Sequence, residues 1–184
     1  MIEHELKIPV AELAPVRLRL EEAGARRLHP RLREANTLLD DADRSLATAE
    51  SVLRVRRVGD RSVLTFKGPA SYRGAVKGRR EIELEVTSSE LVLELLSALG
   101  YTPGMRYEKE RESWTLGSVR VDLDRTPMGD FVELEGPPHD LEAAAATVGL
   151  DPKSAVPGSY PSLWQEHRRR HPELDLGPDM VFDP

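Results

Sequence analysis

Acidic and basic side chains recur along this chain at two-residue spacing, which places them on one face of a β-strand. Glu3, Glu5 and Lys7 are followed by Arg54 and Arg56, by Thr65 and Lys67, and by Arg79, Glu81, Glu83 and Glu85. Lys109 with Arg111, Asp122 with Asp124, and Glu133 with Glu135 continue the series. Residues i and i+2 on a strand lie about 6.6 Å apart. From there, flexible Glu side chains can converge on one Mg²⁺, whose ligand oxygens sit at roughly 2.1 Å. Glu3/Glu5 and Glu133/Glu135 on neighbouring strands would make a hard all-oxygen site with positions left for water and phosphate. Carboxylates so close repel unless a cation lies between them. The interleaved Lys and Arg are the residues that hold phosphate oxygens. These types and spacings suit recognition of a metal–polyphosphate complex.

Such side chains need strands to position them. Ile2, His4, Leu6 and Ile8 alternate with the first charged set and predict a strand over 2–8. Residues 10–23 carry apolar positions at helical spacing and stop at Gly24, and 25–40 read as extended before an acidic turn at Asp40-Asp41-Ala42-Asp43. Residues 51–58 and 61–68 are predicted strands joined by a hairpin at Gly59-Asp60. A strand over 78–86 precedes a helix over 88–99, opened by Ser88 and closed by Gly100. Strands over 105–113, 114–124 and 129–136 follow, with turn signals at Gly117-Ser118 and Pro127-Met128-Gly129, and then short helices over 138–148 and 159–171. About eight strands with few helices between them suggest an antiparallel barrel or a strongly curved sheet.

The faces opposite the charges hold Ile2, Leu6, Leu53, Val55, Ile82, Leu84, Val121, Leu123, Val132 and Leu134. An ionic face can be the solvated outside of a sandwich, with acids opposite bases for cross-strand support. An exposed face usually also carries Thr, Ser, Gln and Asn, and here seven strands are almost wholly ionic. The alternative turns the ionic face inward and the apolar face under the helices. Burying an unpaired ion costs several kcal/mol, so that interior must be wet, charge-compensated and shaped around something ionic.

Composition narrows the class. The 184 residues carry 39% hydrophobic and 32% charged side chains, which fits one domain with a core. With no cysteine, disulfides and thiolate metal sites are excluded. The formal charge of −6 argues against nucleic acid as partner. No run approaches the roughly 18–20 apolar residues of a membrane span, and the acidic start lacks the basic and apolar regions of a signal peptide. A cytoplasmic location is expected, with no membrane partner.

Glu3-His4-Glu5-Leu6-Lys7 resembles the ExExK signature of the CYTH superfamily, the triphosphate tunnel metalloenzymes. Leu53-Arg54-Val55-Arg56 is similar to its LRxR block, and Leu64-Thr65-Phe66-Lys67-Gly68-Pro69 to its KGP strand. Arg79, Glu81 and Glu83 resemble RxExE, and Lys109 with Arg111 resembles KxR. Asp124 through Glu135 is similar to the closing block, and Ser159-Tyr160-x-x-Leu163 to an element of the class IV adenylyl cyclase-like branch. The resemblance spans nearly the whole chain. It implies a mainly β (α+β) fold: an eight-stranded antiparallel β-barrel tunnel with peripheral helices, one domain over 1–184 with a helical extension from about 138.

It also implies Mg²⁺ or Mn²⁺ bound by Glu3, Glu5, Asp124, Glu133, Glu135 and Glu83. Phosphates would be gripped by Lys7, Arg54, Arg56, Lys67, Arg79, Lys109 and Arg111, with Glu3, Glu5, Lys7 and Asp124 in catalytic roles. Expected substrates are ATP, inorganic triphosphate or thiamine triphosphate, and a homodimer is compatible with the family. Hydrolysis of the triphosphate is the leading reaction. Cyclisation of ATP to cyclic AMP and pyrophosphate, and a sensor without turnover, are the alternatives. Leu38-Leu39-Asp40-Asp41 departs from the family's Tyr-Phe-Asp-Thr, and no glycine stands in Ala49-Glu50-Ser51-Val52 ahead of LRxR. Glu85 and Asp122 read as structural or rim residues, His4 as packed under a helix, and His167 and His171 as surface residues. Trp114, Trp164 and Phe131 read as packing residues. Tyr160 either caps the tunnel mouth or anchors the terminal helix.

Overall fold

The computed structural model describes residues 2–183. Its strands are β1 (Ile2–Val10), β2 (Arg26–Asp40), β3 (Val52–Val58), β4 (Arg61–Arg73), β5 (Val76–Val86), β6 (Thr102–Leu116), β7 (Val119–Thr126) and β8 (Gly129–Glu135). They close into an antiparallel barrel in the order β1-β5-β4-β3-β2-β6-β7-β8. The helices are α1 (Ala14–Glu22), α2 (Ser45–Thr48), α3 (Ser89–Ala98), α4 (Pro138–Thr147) and α5 (Tyr160–Arg170). Among the described residues no helix is long and apolar enough to cross a membrane.

Several boundaries differ from the sequence reading, each for a local reason. β1 continues to Val10, and α1 begins only at Ala14, with Pro15 in its first turn where a missing N–H costs nothing. β4 passes through Pro69 to Arg73, because the β4–β5 register shifts between Lys67 and Ala70 and proline is tolerated at such an irregularity. The expected break near residue 113 is absent. β6 runs to Leu116 and turns at Gly117, whose φ of 61° suits glycine.

The ionic face points inward, the second of the two readings that the alternation left open, and the outward apolar face is divided between two clusters. Leu6, Ile8, Val121, Leu123, Val132 and Leu134 pack under Val16 and Leu20 of α1 and Leu141 and Ala145 of α4. Leu39 and Val55 pack under Leu96 of α3. Tyr107 and Phe131, which share parity with the inward Lys109 and Glu133, form a third cluster with Tyr160 and Trp164 of α5 and with Met180. The expectation that every outward apolar residue lies under a helix fails at Ile2, Ile82 and Leu84, which are exposed. Val76 at the start of β5 joins the first cluster, and the outward side of that strand is left bare at Ile82 and Leu84. The ring of His4 lies over Gly78 of the neighbouring strand, where a Cβ would come within 3.2 Å of it.

Two loops near the barrel lie where the chain departs from the family pattern. Asp40 closes β2 by accepting the backbone N–H groups of Leu46 and Ala47 at 3.0 and 2.9 Å, which shapes the turn at α2. Glu50 has φ 51°, the left-handed conformation that the missing glycine would adopt freely. Its carbonyl accepts Arg79 Nη2 at 2.9 Å, so this backbone helps to seat a tunnel arginine.

Candidate functional site

The barrel encloses a cavity of about 940 Å³, counting its open mouth. A second cavity of about 960 Å³ shares Arg56, Glu83, Arg111 and Arg120 with the first, so the interior continues as a tunnel. Of the sequence-predicted site residues, Glu3, Glu5, Lys7, Arg54, Arg56, Lys67, Arg79, Glu83, Lys109, Arg111, Glu133 and Glu135 all line the first cavity. Asp124 does not line it. Strand register explains the convergence: Glu5 pairs opposite Glu135 and Lys7 opposite Glu133 between β1 and β8. Glu3 pairs opposite Arg79 and Glu5 opposite Lys77 between β1 and β5.

The acids divide into two groups by what faces them. In the first, bases hold the carboxylates charged. Glu133 contacts Lys7 and Arg111 and lies 3.6 Å from Lys109. Burial alone would raise its pKa, but Lys7, Lys109 and Arg111 carry it well below the usual carboxylate range. Lys7 is raised in turn, because Glu133 and Glu5 outweigh the burial that would lower it. Glu5 meets Lys77 at 2.8 Å, and Lys7 and Lys77 lower its pKa against burial. Glu83 meets both Arg54 and Arg56 at 3.4 Å and accepts the Thr65 hydroxyl at 3.0 Å.

Asp124 also faces bases and is fully buried. Its oxygens accept Arg111 at 2.7 and 2.6 Å, Lys109 at 3.0 Å and the Tyr160 hydroxyl at 2.6 Å. These neighbours differ from those expected of a metal ligand, and they make Asp124 a brace behind Lys109 and Arg111. Asp122 is likewise buried, at 2.7 Å from Arg111 and 3.1 Å from Arg120, which agrees with a structural role. Glu85 is exposed and pairs with Arg61.

In the second group acid faces acid. The pKa of Glu3 is pushed up to about 8 by burial, then by the carboxylates of Glu135 and Glu81. Glu135 is also raised, by burial and by Asp122 and Glu133, despite the pull of Arg120 and Arg111. Among the described residues no set of three acidic or histidine side chains is already drawn together around one point. The donor chemistry nevertheless fits a hard divalent cation. Clustered carboxylates that burial and mutual repulsion push toward protonation are what such an ion would recharge and draw in.

The bases leave donors to spare. The Nε atoms of Arg54 and Arg56 are buried without a hydrogen-bond partner. Arg54 is otherwise fixed by Tyr107 Oη at 3.1 Å and Thr65 Oγ1 at 3.2 Å, so the guanidinium is held in place before any anion arrives.

The sequence reading passed over four residues. Lys77 and Arg120 line the cavity and sit two residues ahead of Arg79 and Asp122, so strand parity could have found them. Glu81 pairs with Lys67 and was visible in the alternation without a role. Glu34 was hidden, because β2 has register shifts between Arg27 and Leu32 that break its alternation. Its pKa is lowered to about 2, with Lys109, Arg111, Arg56 and Arg54 overcoming the effect of burial.

The model of the CYTH domain matches residues 1–160, most of the chain and every strand of the barrel. The chain belongs to the CYTH domain family. No curated protein matches it. Among solved structures, a candidate adenylate cyclase of Vibrio parahaemolyticus is similar at TM-score 0.80 and 18% identity, over 90% of this chain and 98% of that one. A Pyrococcus horikoshii protein is similar at TM-score 0.73 and 24% identity, over 90% and 99% of the two chains. A candidate adenylyl cyclase of Hippeastrum, described as having a dominant triphosphatase activity, is similar at TM-score 0.66 and 16% identity, over 90% and 96%. At these identities the likeness is one of fold. The CYTH barrel here departs from the family pattern at Leu38, which lines the cavity with Val52 and Pro161. The interior is thus mainly ionic, with a few apolar residues in its lining.

Proposed function

We propose that this CYTH protein is a divalent-metal-dependent enzyme that binds a triphosphate-bearing small molecule in the barrel and hydrolyses the triphosphate. The observation that carries the reading is the charge inventory of the cavity. Nine bases and six acids line it, and the buried Glu34, Asp122 and Asp124 lie close behind. The interior is therefore close to neutral. A bare triphosphate would overload it with negative charge, whereas a triphosphate neutralised by one or two divalent cations would not. Glu3 and Glu135, with Glu5 beside them, would hold Mg²⁺ or Mn²⁺. When bound, the metal supplies charge neutralisation and Lewis-acid polarisation of phosphate oxygens.

The remaining work falls to the chain. Lys7, Arg54, Arg56, Lys67, Arg79, Lys109 and Arg111 grip successive phosphates and hold the chain in line for attack by water. Little covalent chemistry is asked of the protein, as is usual for phosphoryl transfer. Leu38, Val52 and Pro161, the apolar members of the lining, would meet the organic end of a substrate. Hydrolysis needs only the ionic interior. Cyclisation of ATP also needs a site that turns the ribose hydroxyl onto the α-phosphorus, and these apolar residues offer no base for it. The absence of cysteine suits a cytoplasmic enzyme.

The test incubates the protein with Mg²⁺ or Mn²⁺ and, separately, ATP, inorganic triphosphate and thiamine triphosphate, with products separated by chromatography. Orthophosphate release from at least one substrate, abolished in Glu3→Ala/Glu135→Ala, is the expected result. Cyclic AMP with pyrophosphate would replace the triphosphatase by a cyclase. No turnover of any of the three would leave a sensor.

A further inference from the structure

Tyr160 opens α5 and is the last residue that the CYTH model matches, so the rest of α5 and the segment after it lie outside that match. The ring is buried against the tunnel wall. Lys7 Nζ lies 4.3 Å from its centroid and Lys109 Nζ 4.9 Å, both within cation–π range. Its hydroxyl donates to Asp124, and Phe131 meets the ring edge-on at 5.4 Å. One aromatic side chain thus contacts two of the phosphate-facing lysines and the acid that braces one of them.

The segment after α5 keeps this ring in place. Trp164, one turn along, donates Nε1 to the Gly177 carbonyl at 3.2 Å, and Arg168 Nε donates to that of Leu176 at 2.8 Å. Met180 is fully buried beside Tyr160 and Trp164. Its N–H donates to Arg106 O at 3.0 Å, and its carbonyl accepts from Glu108 N at 2.7 Å. That stretch of β6 lies before its pairing with β7 begins at Glu110, so the tail occupies an otherwise open edge. Asp179 adds bonds to Arg106 N and Nε at 2.8 and 2.9 Å.

We propose that Tyr160 is a positioning residue that holds Lys7 and Lys109 on the phosphate path, and that the C-terminal segment fixes it there. The proposal rests on the triphosphate reading above. Lysine is a point charge on a flexible stem with three donors, and each of these two has carboxylates within reach: Glu133 for Lys7, and Glu34, Asp124 and Glu133 for Lys109. An aromatic face attracts the ammonium without accepting its protons in line. It keeps the charge at the tunnel wall and leaves N–H donors free for phosphate oxygens.

The test uses full-length protein with Tyr160→Phe, Tyr160→Leu and Tyr160→Met, each checked by thermal melting. Tyr160→Met is read if the leucine variant does not fold. Reductive methylation without ligand, resolved by peptide mass spectrometry, reports the freedom of each lysine. Calorimetric titration with sodium tripolyphosphate, in EDTA and in Mg²⁺, reports the grip. Tyr160→Phe should keep both within about threefold of wild type, whereas Tyr160→Leu and Tyr160→Met should weaken tripolyphosphate about tenfold. In those two variants methylation should rise at Lys7 and Lys109 and stay unchanged at Lys67 and Lys77, which do not touch the ring. Arg168→Ala should give a smaller rise at the same two lysines. Unchanged methylation at Lys7 and Lys109 in the aliphatic variants, or an equal rise at all four, overturns the proposal. Wild-type protein that binds no tripolyphosphate overturns the triphosphate reading instead, and the methylation pattern still judges the role of Tyr160.

Discussion

Asp124→Asn changes no volume and removes one charge, so it asks directly what holds the tunnel wall together. Four donors converge on the two oxygens of Asp124: Arg111 through Nε and Nη2, Lys109, and the Tyr160 hydroxyl. An asparagine amide must present its NH₂ where one oxygen now stands, and either placement sets N–H groups against N–H groups. The buried cations also lose a counter-charge. Removing one partner of a buried pair costs about 3–5 kcal/mol. The lower end applies here, because Arg111 keeps Asp122 at 2.7 Å and contact with Glu133, and Lys109 keeps Glu34 at 3.8 Å. A loss of about 3 kcal/mol in a chain of this size lowers the melting midpoint by roughly 6–12 °C. Urea denaturation followed by tryptophan fluorescence measures it, with an unchanged slope confirming the same unfolding transition. The number of Mn²⁺ ions bound should stay the same, since the Asp124 oxygens point at bases and not into the acidic cluster. A loss below about 1 kcal/mol, or a lost metal site with little loss of stability, would refute the assignment of Asp124 as a brace.

Three other perturbations have expected outcomes. Glu50→Gly relieves a left-handed backbone while keeping the carbonyl that seats Arg79, and should stabilise the protein by about 0.5–1 kcal/mol in the same urea assay. Glu34 has a folded pKa of about 2, below its ordinary 4.5, so its contribution is complete above about pH 5 and disappears as pH falls through 2. Glu34→Gln should therefore cost much more stability at pH 6 than at pH 3, measured by urea titration at each pH. Glu3 is displaced the other way, to about 8, so in metal-free protein its contribution is present below pH 4.5 and is lost as pH rises through 8. Metal-free protein should lose thermal stability between about pH 5 and 8, and saturating Mn²⁺ should remove that loss. Calorimetry in buffers of different ionisation enthalpy at pH 7 should show proton release on Mn²⁺ binding.

The barrel was legible because its alternation is so nearly ionic. Glu3, Glu5 and Lys7 against Leu6 and Ile8 gave both a strand and its inward face, and the same held for Asp122 and Asp124 against Val121 and Leu123. Parity does not say what lies across the tunnel. It placed Asp124 and Glu83 in the same class as Glu3, yet Asp124 faces Arg111 and Glu83 faces Arg54 and Arg56, while Glu3 faces other carboxylates. That distinction depends on register between strands, which single-strand periodicity cannot give. The bare outward face at Ile82 and Leu84 was invisible for a similar reason: an apolar residue facing away from the tunnel is buried only where a helix is laid over it. Tyr160 could be flagged, but its contact with Lys7 bridges segments that nothing local connects.

Closure of the barrel by pairing its first strand with its eighth has a consequence for how the protein comes into being. Lys7 meets Glu133 across 126 residues of sequence, and Glu5 stands opposite Glu135. Such non-local pairing carries high contact order, and folding dominated by it is slow. On the ribosome the N-terminal strand emerges first and must wait, with its carboxylates in water, until β8 has been made. The acidic cluster that β1 shares with β8 therefore cannot form before the barrel closes. A polyphosphate or metal ion that binds only the closed barrel would act on its folding as a latch, favouring the last seam and slowing its reopening.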